Sequence, residues 1–275
     1  MRLRYVPVTY AYVIEIGGDN MKKLFASLLC CIIPLFLIGC NDDEDTDVVH
    51  LTVSAAISLT EALEDIQKVY EQDHAVELTF NLGGSGTLSQ QIQQGAPVDV
   101  FISANQEWMN TLENEDLINQ QTRTNITGNK LVLITGINAT IDYQSFADIS
   151  SADVEKIAIG NPESVPAGEY AETALKHLHL WDKLEDKLVF AKNVRQVLTY
   201  VETENTDIGI VYESDAVGSP DIKILATAEK DAHEPIIYPA AMITDTKNEQ
   251  EAAAFIRFLE TDEAQEIFAE HGLKR

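Results

Sequence analysis

Four short stretches place glycine, serine or alanine where a β-branched run gives way to an amphipathic one. They are SAAISLTEAL around Ser58, LGGSGTLSQQI from Leu82 to Ile92, VPAGEYAETAL through Pro166, Ala167 and Gly168, and KNVRQVL with Asn193. A turn of this kind feeding a helix exposes backbone N–H groups with no acceptor inside the helix, and such groups can hold an anion. Nucleotide templates do not fit the second stretch. A P-loop requires Gly-Lys-Ser/Thr after a glycine and four residues, whereas Leu88 stands there and no lysine follows; a dinucleotide fingerprint begins with Gly84-Ser85-Gly86 but meets Ser89 at its third glycine. What remains is a small, uncharged turn rich in donors. Ser58 with Glu61 and Asn193 with Gln196 also have the spacing of helix caps, so each turn taken singly reads as well as an ordinary cap or a flexible loop. Arg195 lies beside one turn, but the cap pattern does not aim it at a ligand.

Other chemistry is poorly supplied. His177 and His179 are two apart on an expected helix and point away from one another, which is no metal pair. His233-Glu234-Pro235 lacks the second histidine of a zinc-hydrolase helix. Ser58 and Ser85 are the candidates for a serine-hydrolase nucleophile, yet neither lies in GxSxG and no histidine occupies a comparable turn to serve as base. Asp99 and Asp215 are expected to organise loops through backbone N–H groups.

The turns need strands that end just before them, and the chain supplies these. Runs 48–56, 76–82 and 99–103 read as strands, separated by helical patterns at 59–72, 87–94 and 106–113. A second series opens with KLVLITG at 130–136 and continues through KIAIG, KLVFA, DIGIVY and IKILAT with helices between, followed by a strand at 238–243 and helices at 249–259 and 262–271. Such alternation implies an α/β fold with largely parallel sheets.

At the N-terminal side, Lys22 and Lys23 precede the apolar run 24–39, which is short, contains Pro34 and ends at Cys40 before the acidic stretch NDDEDTD. This pattern is that of a secretory signal at 21–39. Leu37-Ile38-Gly39-Cys40 resembles the lipobox of bacterial lipoproteins, which makes Cys40 the expected lipidated residue, 40–50 a solvated acidic tether, and the location extracytoplasmic at a membrane. Cys30 and Cys31 fall inside the signal, so no disulfide is expected in the folded part. Residues 1–20 do not belong to a signal's basic region, and translation is expected to begin at Met21. The formal charge is −26, and without residues 1–39 it is −28, from 15 basic and 43 acidic residues. A nucleic-acid partner is excluded on that ground.

The stretches AAISLTEAL, GSGTLSQQI, GAPVDVFISANQEWM, GNPESVPAGEYAETAL, NVRQVLTYVE and GIVYESDAV together resemble the periplasmic molybdate-binding proteins of bacterial ABC importers, in the family's order and spacing from about Leu51 to Gly272. The resemblance implies a type II periplasmic-binding fold: two α/β lobes joined by a two-stranded hinge. It places 51–129 plus 239–275 in lobe I and 130–238 in lobe II. It implies a tetrahedral oxyanion, molybdate and also tungstate, held by hydroxyl and backbone N–H donors at Ser58, Ser85, Ala167, Val194 and Tyr212, with no direct ligation of the metal atom. It further implies no enzymatic activity, no cofactor, a monomer, and delivery to an inner-membrane ABC permease. Glycines at 83, 84 and 86 replace the serine-rich second turn common among relatives. The alternative ligands are sulfate or another tetrahedral oxyanion; hydrogen phosphate needs an acceptor that the five positions lack. On this reading Ser85→Ala weakens binding and Gly86→Asp weakens it more by placing a carboxylate beside the anion, neither greatly lowering the melting temperature.

Overall fold

A computed structural model describes residues 48–274. The expectations for residues 1–20, the signal at 21–39, the lipidated Cys40 and the tether up to residue 47 lie outside the described residues. The chain forms two mixed sheets, each flanked by helices, and these are the two lobes of the expected α/β fold.

In the first sheet the strand order is β2-β1-β3-β10-β4, from β1 (Val49–Ala56), β2 (Val76–Gly83), β3 (Val100–Ile102), β4 (Thr124–Asn129) and β10 (Ile236–Met242). β1 runs parallel to β2 and β3, while β10 is antiparallel to β3 and β4. The second sheet has the order β7-β6-β8-β5-β9, from β5 (Leu131–Gly136), β6 (Ile157–Gly160), β7 (Leu188–Ala191), β8 (Ile208–Tyr212) and β9 (Ile222–Thr227). Here β6 is parallel to β7 and β8, and β5 is antiparallel to β8 and β9. The chain passes from the first sheet to the second between Asn129 and Leu131 and returns between Thr227 and Ile236, giving two adjacent crossings.

Helices follow the parallel strands because their apolar residues recur at helical spacing. In α1 (Thr60–Asp73) Ala62, Leu63, Ile66 and Tyr70 are buried. α2 (Ser85–Gln93) and α3 (Gln106–Asn114) pack together and bury Leu88, Ile92, Met109 and Leu112. In the second lobe α4 (Pro166–His177) begins with proline at its first position, where the missing N–H costs nothing. After the short α5 (Trp181–Leu184), α6 (Val194–Glu202) turns Val194, Val197, Leu198 and Val201 inward, and a four-residue α7 (Glu213–Ala216) follows β8. α8 (Glu249–Phe258) and α9 (Asp262–Glu270) close the first lobe, α9 against α1 and α8 against β10 and β1.

β4 was absent from the sequence reading. TNITGN is polar and contains glycine, and it becomes a strand only because β10 pairs along it. Gly128 within it is required by packing: a Cβ there would lie 2.6 Å from the Lys274 carbonyl oxygen. The two histidines of KHLHL are also placed differently from expectation. α4 ends at His177, and His179 lies beyond it with a φ of 56°.

Candidate functional site

The carboxyl ends of β1, β2 and β3 in the first lobe and of β6, β7 and β8 in the second lead to one cavity. In open α/β sheets ligands bind outside the carboxyl ends of parallel strands, and here each such end leads into a turn or helix start. Ser58 follows β1, Ser85 follows β2, Ala167 follows β6, Val194 follows β7 and Tyr212 ends β8. All five line one cavity, with Gly84, Ala104 and Asn193 among their neighbours in its wall. Its lining contains no carboxylate, imidazole, ammonium or guanidinium group.

The local structure explains how each group comes to face the cavity. Ala167 and Val194 occupy the first turns of α4 and α6, where backbone N–H groups have no intrahelical acceptor. Asn193 caps α6 as its spacing predicts: its Oδ1 accepts the Gln196 N–H at 2.9 Å, and Gln196 Oε1 in turn accepts the Lys192 N–H at 2.8 Å. Ser85 is buried at the start of α2, and its Oγ accepts the Ala104 N–H at 3.0 Å. That bond fixes the oxygen and leaves the hydroxyl proton to point elsewhere. Tyr212 is 1% exposed, and its Oη has no hydrogen-bond partner among the described residues. Burial, with Tyr238 alongside, holds its hydroxyl well above the ordinary tyrosine range, so it is a neutral donor.

Ser58 departs from expectation. It sits in a 3-10 turn, Ile57–Leu59, and the following helix is capped at Leu59 without a side-chain bond, so Ser58 and Glu61 form no capping box. Its Oγ lies 2.9 Å from Tyr238 Oη instead. Glu61 reaches across the cleft, where both its carboxylate oxygens accept from Arg195 Nη2 at 2.5 and 2.7 Å. The one guanidinium near the site is thereby turned to a carboxylate and away from the cavity.

Asp99 and Asp215 organise loops. Asp99 accepts from Thr52 N at 2.8 Å, from the Thr246 hydroxyl and from Asn248 Nδ2. Asp215 accepts the Tyr212 N–H at 3.1 Å, while its other oxygen is buried without a partner. Burial raises its pKa to about 7, against the opposing pull of Arg195 and the Tyr212 N–H.

The lobes touch directly around the cavity. Gly86 N donates to Ser164 O at 3.0 Å, and Asn105 Nδ2 donates to Glu169 Oε2 at 2.8 Å. A Cβ at Gly86 would come within 2.7 Å of both the Ser164 carbonyl oxygen and Trp108 Cζ2. An aspartate there therefore obstructs the approach of the lobes by bulk, before any charge effect, which corrects the expected cause. Ser85 is not at a cleft surface but buried and bonded to Ala104, so Ser85→Ala leaves a backbone N–H without that partner and is expected to lower stability. Asn129 and Tyr238, which flank Ser58, were missed in the sequence. Neither stands in a glycine-rich turn, and the only signal was their position at the two crossings.

The sequence matches the model of the bacterial extracellular solute-binding protein family over residues 51–274. It is 42% identical over 258 residues to a protein of Bacillus subtilis (strain 168) provisionally named an ABC transporter substrate-binding lipoprotein, covering 92% of this chain and 98% of that one. It is 37% identical over 226 residues to the molybdate-binding protein ModA of Haemophilus influenzae, covering 81% of this chain and 89% of its relative. Among solved structures, the Azotobacter vinelandii periplasmic molybdate-binding protein superposes with a TM-score of 0.74, covering 82% of this chain and 99% of that chain; at 24% identity this shows the fold alone. Two α/β lobes, a cavity at the strand ends and a family match across nearly all the described residues have one common meaning: the chain belongs to the bacterial extracellular solute-binding protein family.

Proposed function

We propose that this protein captures molybdate, and tungstate with it, between its lobes and delivers the anion to an ABC permease, as a monomer held at the membrane by lipid on Cys40. The observation that carries the reading is the buried, unpartnered hydroxyl of Tyr212 in a cavity lined by neutral donors. A buried polar group without a partner costs about 1–3 kcal/mol, and a ligand oxygen supplies the missing acceptor. Ser58, Ser85 and Tyr212 contribute hydroxyls, and Ala167 and Val194 contribute backbone N–H groups. The name of the Haemophilus influenzae relative supports molybdate as the anion, and that of the Bacillus subtilis relative supports the anchor and the transporter.

Neutral donors suffice for a dianion when they are fixed and dry. A hydrogen bond to a charged group is worth roughly 1.5–3 kcal/mol, and a helix terminus adds about 0.3–1 kcal/mol. Five to seven such bonds exceed the about 8–12 kcal/mol of a micromolar to nanomolar site, and the surplus offsets dehydration of the anion and ordering of the lobes. The formal charge of −26 slows encounter, but salt screens it within about 8–10 Å.

Calorimetric titration of the purified chain with molybdate, tungstate, sulfate and phosphate tests the ligand. Molybdate and tungstate are expected to bind most tightly and phosphate not at all; sulfate binding more tightly than molybdate overturns the assignment. The anchor is tested separately. Cys40→Ser is expected to release the protein from carbonate-washed membranes with its anion affinity unchanged, and equal retention of the variant argues against lipidation at Cys40.

A further inference from the structure

The hydrogen bonds around Ser58 have a direction that can be read atom by atom. Asn129, the last residue of β4, accepts the Lys130 N–H at Oδ1 at 2.8 Å, which settles which end of its amide is oxygen. Its Nδ2 donates to Ser214 Oγ at 2.8 Å and to Tyr238 Oη at 3.1 Å. An amide nitrogen cannot accept, so Tyr238 Oη is the acceptor in that pair. Among the described contacts the Tyr238 hydroxyl proton then has one acceptor, Ser58 Oγ at 2.9 Å. Tyr238 is fully buried, and that burial raises its pKa far above the tyrosine range, so the proton stays on it. A serine oxygen that accepts from tyrosine directs its own O–H elsewhere, and Ser58 lines the cavity.

The other two hydroxyls are set in the same sense. Ser85 Oγ accepts from the Ala104 N–H and keeps its proton for the cavity, and Tyr212 Oη has no partner among the described residues. We propose that Tyr238 and Asn129 are specificity-determining residues of this site: their relay through Ser58 keeps the cavity a set of donors only, which selects oxyanions without a proton and rejects those that carry one. The inference rests on the reading of Ser58 as a ligand contact. A protonated oxyanion must set its O–H against a donor, so it loses one bond and leaves one protein proton unmatched. Sites that reject a ligand for an unmatched polar group discriminate far more strongly than sites that sort by size.

Selenate and arsenate separate the proton from size and charge. At about pH 8 both are dianions of nearly equal dimensions, and only arsenate carries a proton. The full chain is expected to bind selenate at least tenfold more tightly than arsenate by calorimetry. Tyr238→Phe frees the Ser58 hydroxyl to rotate; molybdate affinity is expected to fall about two- to twelvefold, the scale of one neutral hydrogen bond, and the selenate-to-arsenate ratio to fall at least threefold. Asn129→Asp reverses the relay. Its carboxylate accepts from Tyr238, Ser58 donates to Tyr238, and a serine lone pair faces the ligand, so the ratio is expected to shift toward arsenate although the added charge weakens both dianions alike.

A purely structural role for Tyr238 and Asn129 lowers affinity for the two anions equally and leaves the ratio fixed; that result in folded variants overturns the proposal. If Tyr238→Phe does not fold, the sign of the change in Asn129→Asp decides. Ser58→Ala distinguishes the two levels of inference. Unchanged molybdate affinity in that variant defeats the site reading itself, whereas a loss there with an unmoved ratio in the relay variants defeats only the relay.

Discussion

Ser85 and Tyr212 line the same cavity, yet the protein holds their hydroxyls in opposite ways. Ser85 Oγ accepts a backbone N–H, whereas Tyr212 Oη has no partner among the described residues. If both hydroxyls donate to the anion as proposed, removing either takes away one charge-assisted bond, and molybdate affinity is expected to fall roughly ten- to 150-fold in both Ser85→Ala and Tyr212→Phe, from about 1.5–3 kcal/mol. Their effects on the ligand-free protein should diverge. Ser85→Ala strands the Ala104 N–H and is expected to destabilise by about 1–3 kcal/mol, while Tyr212→Phe removes a buried, unpartnered group and is expected to leave the melting temperature unchanged or to raise it. Thermal melts and titrations of the two variants side by side check the pattern. A melting temperature that falls in Tyr212→Phe would show that its hydroxyl has a protein partner and is no vacant donor.

At the level of elements, the start of α2 and the 161–165 loop before α4 meet where Gly86 donates to the Ser164 carbonyl. That bond exists because residue 86 lacks a side chain: its Cβ would lie 2.7 Å from a backbone oxygen and 2.7 Å from Trp108. Backbone cannot yield as the end of a flexible side chain can, so a single methyl holds these elements apart. Gly86→Ala is therefore expected to weaken molybdate and tungstate by the same factor, about tenfold or more. The effect should fall on closure and leave the chemistry of the donors intact. Small-angle scattering supplies the check. The native chain is expected to compact on molybdate addition, and the variant to compact less at saturating anion; equal compaction places the effect elsewhere. Gly84 and Gly168 are similarly confined, the latter with a Cβ position 2.0 Å from the Gly160 carbonyl oxygen, so the glycines of these turns serve contact between backbones.

For the molecule as a whole, carboxylates from both lobes meet at the edge of the cleft. Glu169 of α4 is half-buried beside Glu107 of α3, and burial first, then Glu107, raises its pKa to about 8 from an ordinary value of 4.5. A raised acid pKa means that the closed form holds a proton which separated lobes release. The contribution to closure is complete below about pH 4.5, is lost progressively as pH rises toward 8, and stays lost above that. Molybdate affinity is thus expected to weaken between about pH 6 and 8, by at most about tenfold per unit, the limit for one proton, and by less than that because the group is partly solvated, and to level off beyond. Glu169→Gln keeps an oxygen for Asn105 Nδ2 and removes the titration, so its affinity should be flat over the same range. Titrations at several pH values decide this, and a slope that persists in the variant assigns it to another group, with Asp215, raised to about 7, the next to replace. The Glu61–Arg195 pair also spans the cleft, but it is partly exposed and contributes about 1 kcal/mol or less.

The order of elements was legible in the sequence because the strands are short β-branched runs and the helices repeat apolar residues at 3.6 spacing, signals that depend only on near neighbours. The same local information located Asn193 as a cap and the Ala167 turn with its proline at the first helical position. β4 was invisible, since TNITGN is short, interrupts its β-branched residues with two asparagines and a glycine, and becomes a strand by lying beside β10, which is more than a hundred residues away. Ser58 stands in the turn its sequence predicts but with a different partner. Its spacing to Glu61 suggests a capping box, yet Glu61 is drawn to Arg195 in the other lobe and Ser58 to Tyr238 at the far crossing. The kinds of group at the site were thus a property of the sequence. The direction in which each donates, and which glycine admits which backbone, were decided only by contacts between residues remote in the chain, because a hydroxyl proton points wherever its neighbours leave room for it.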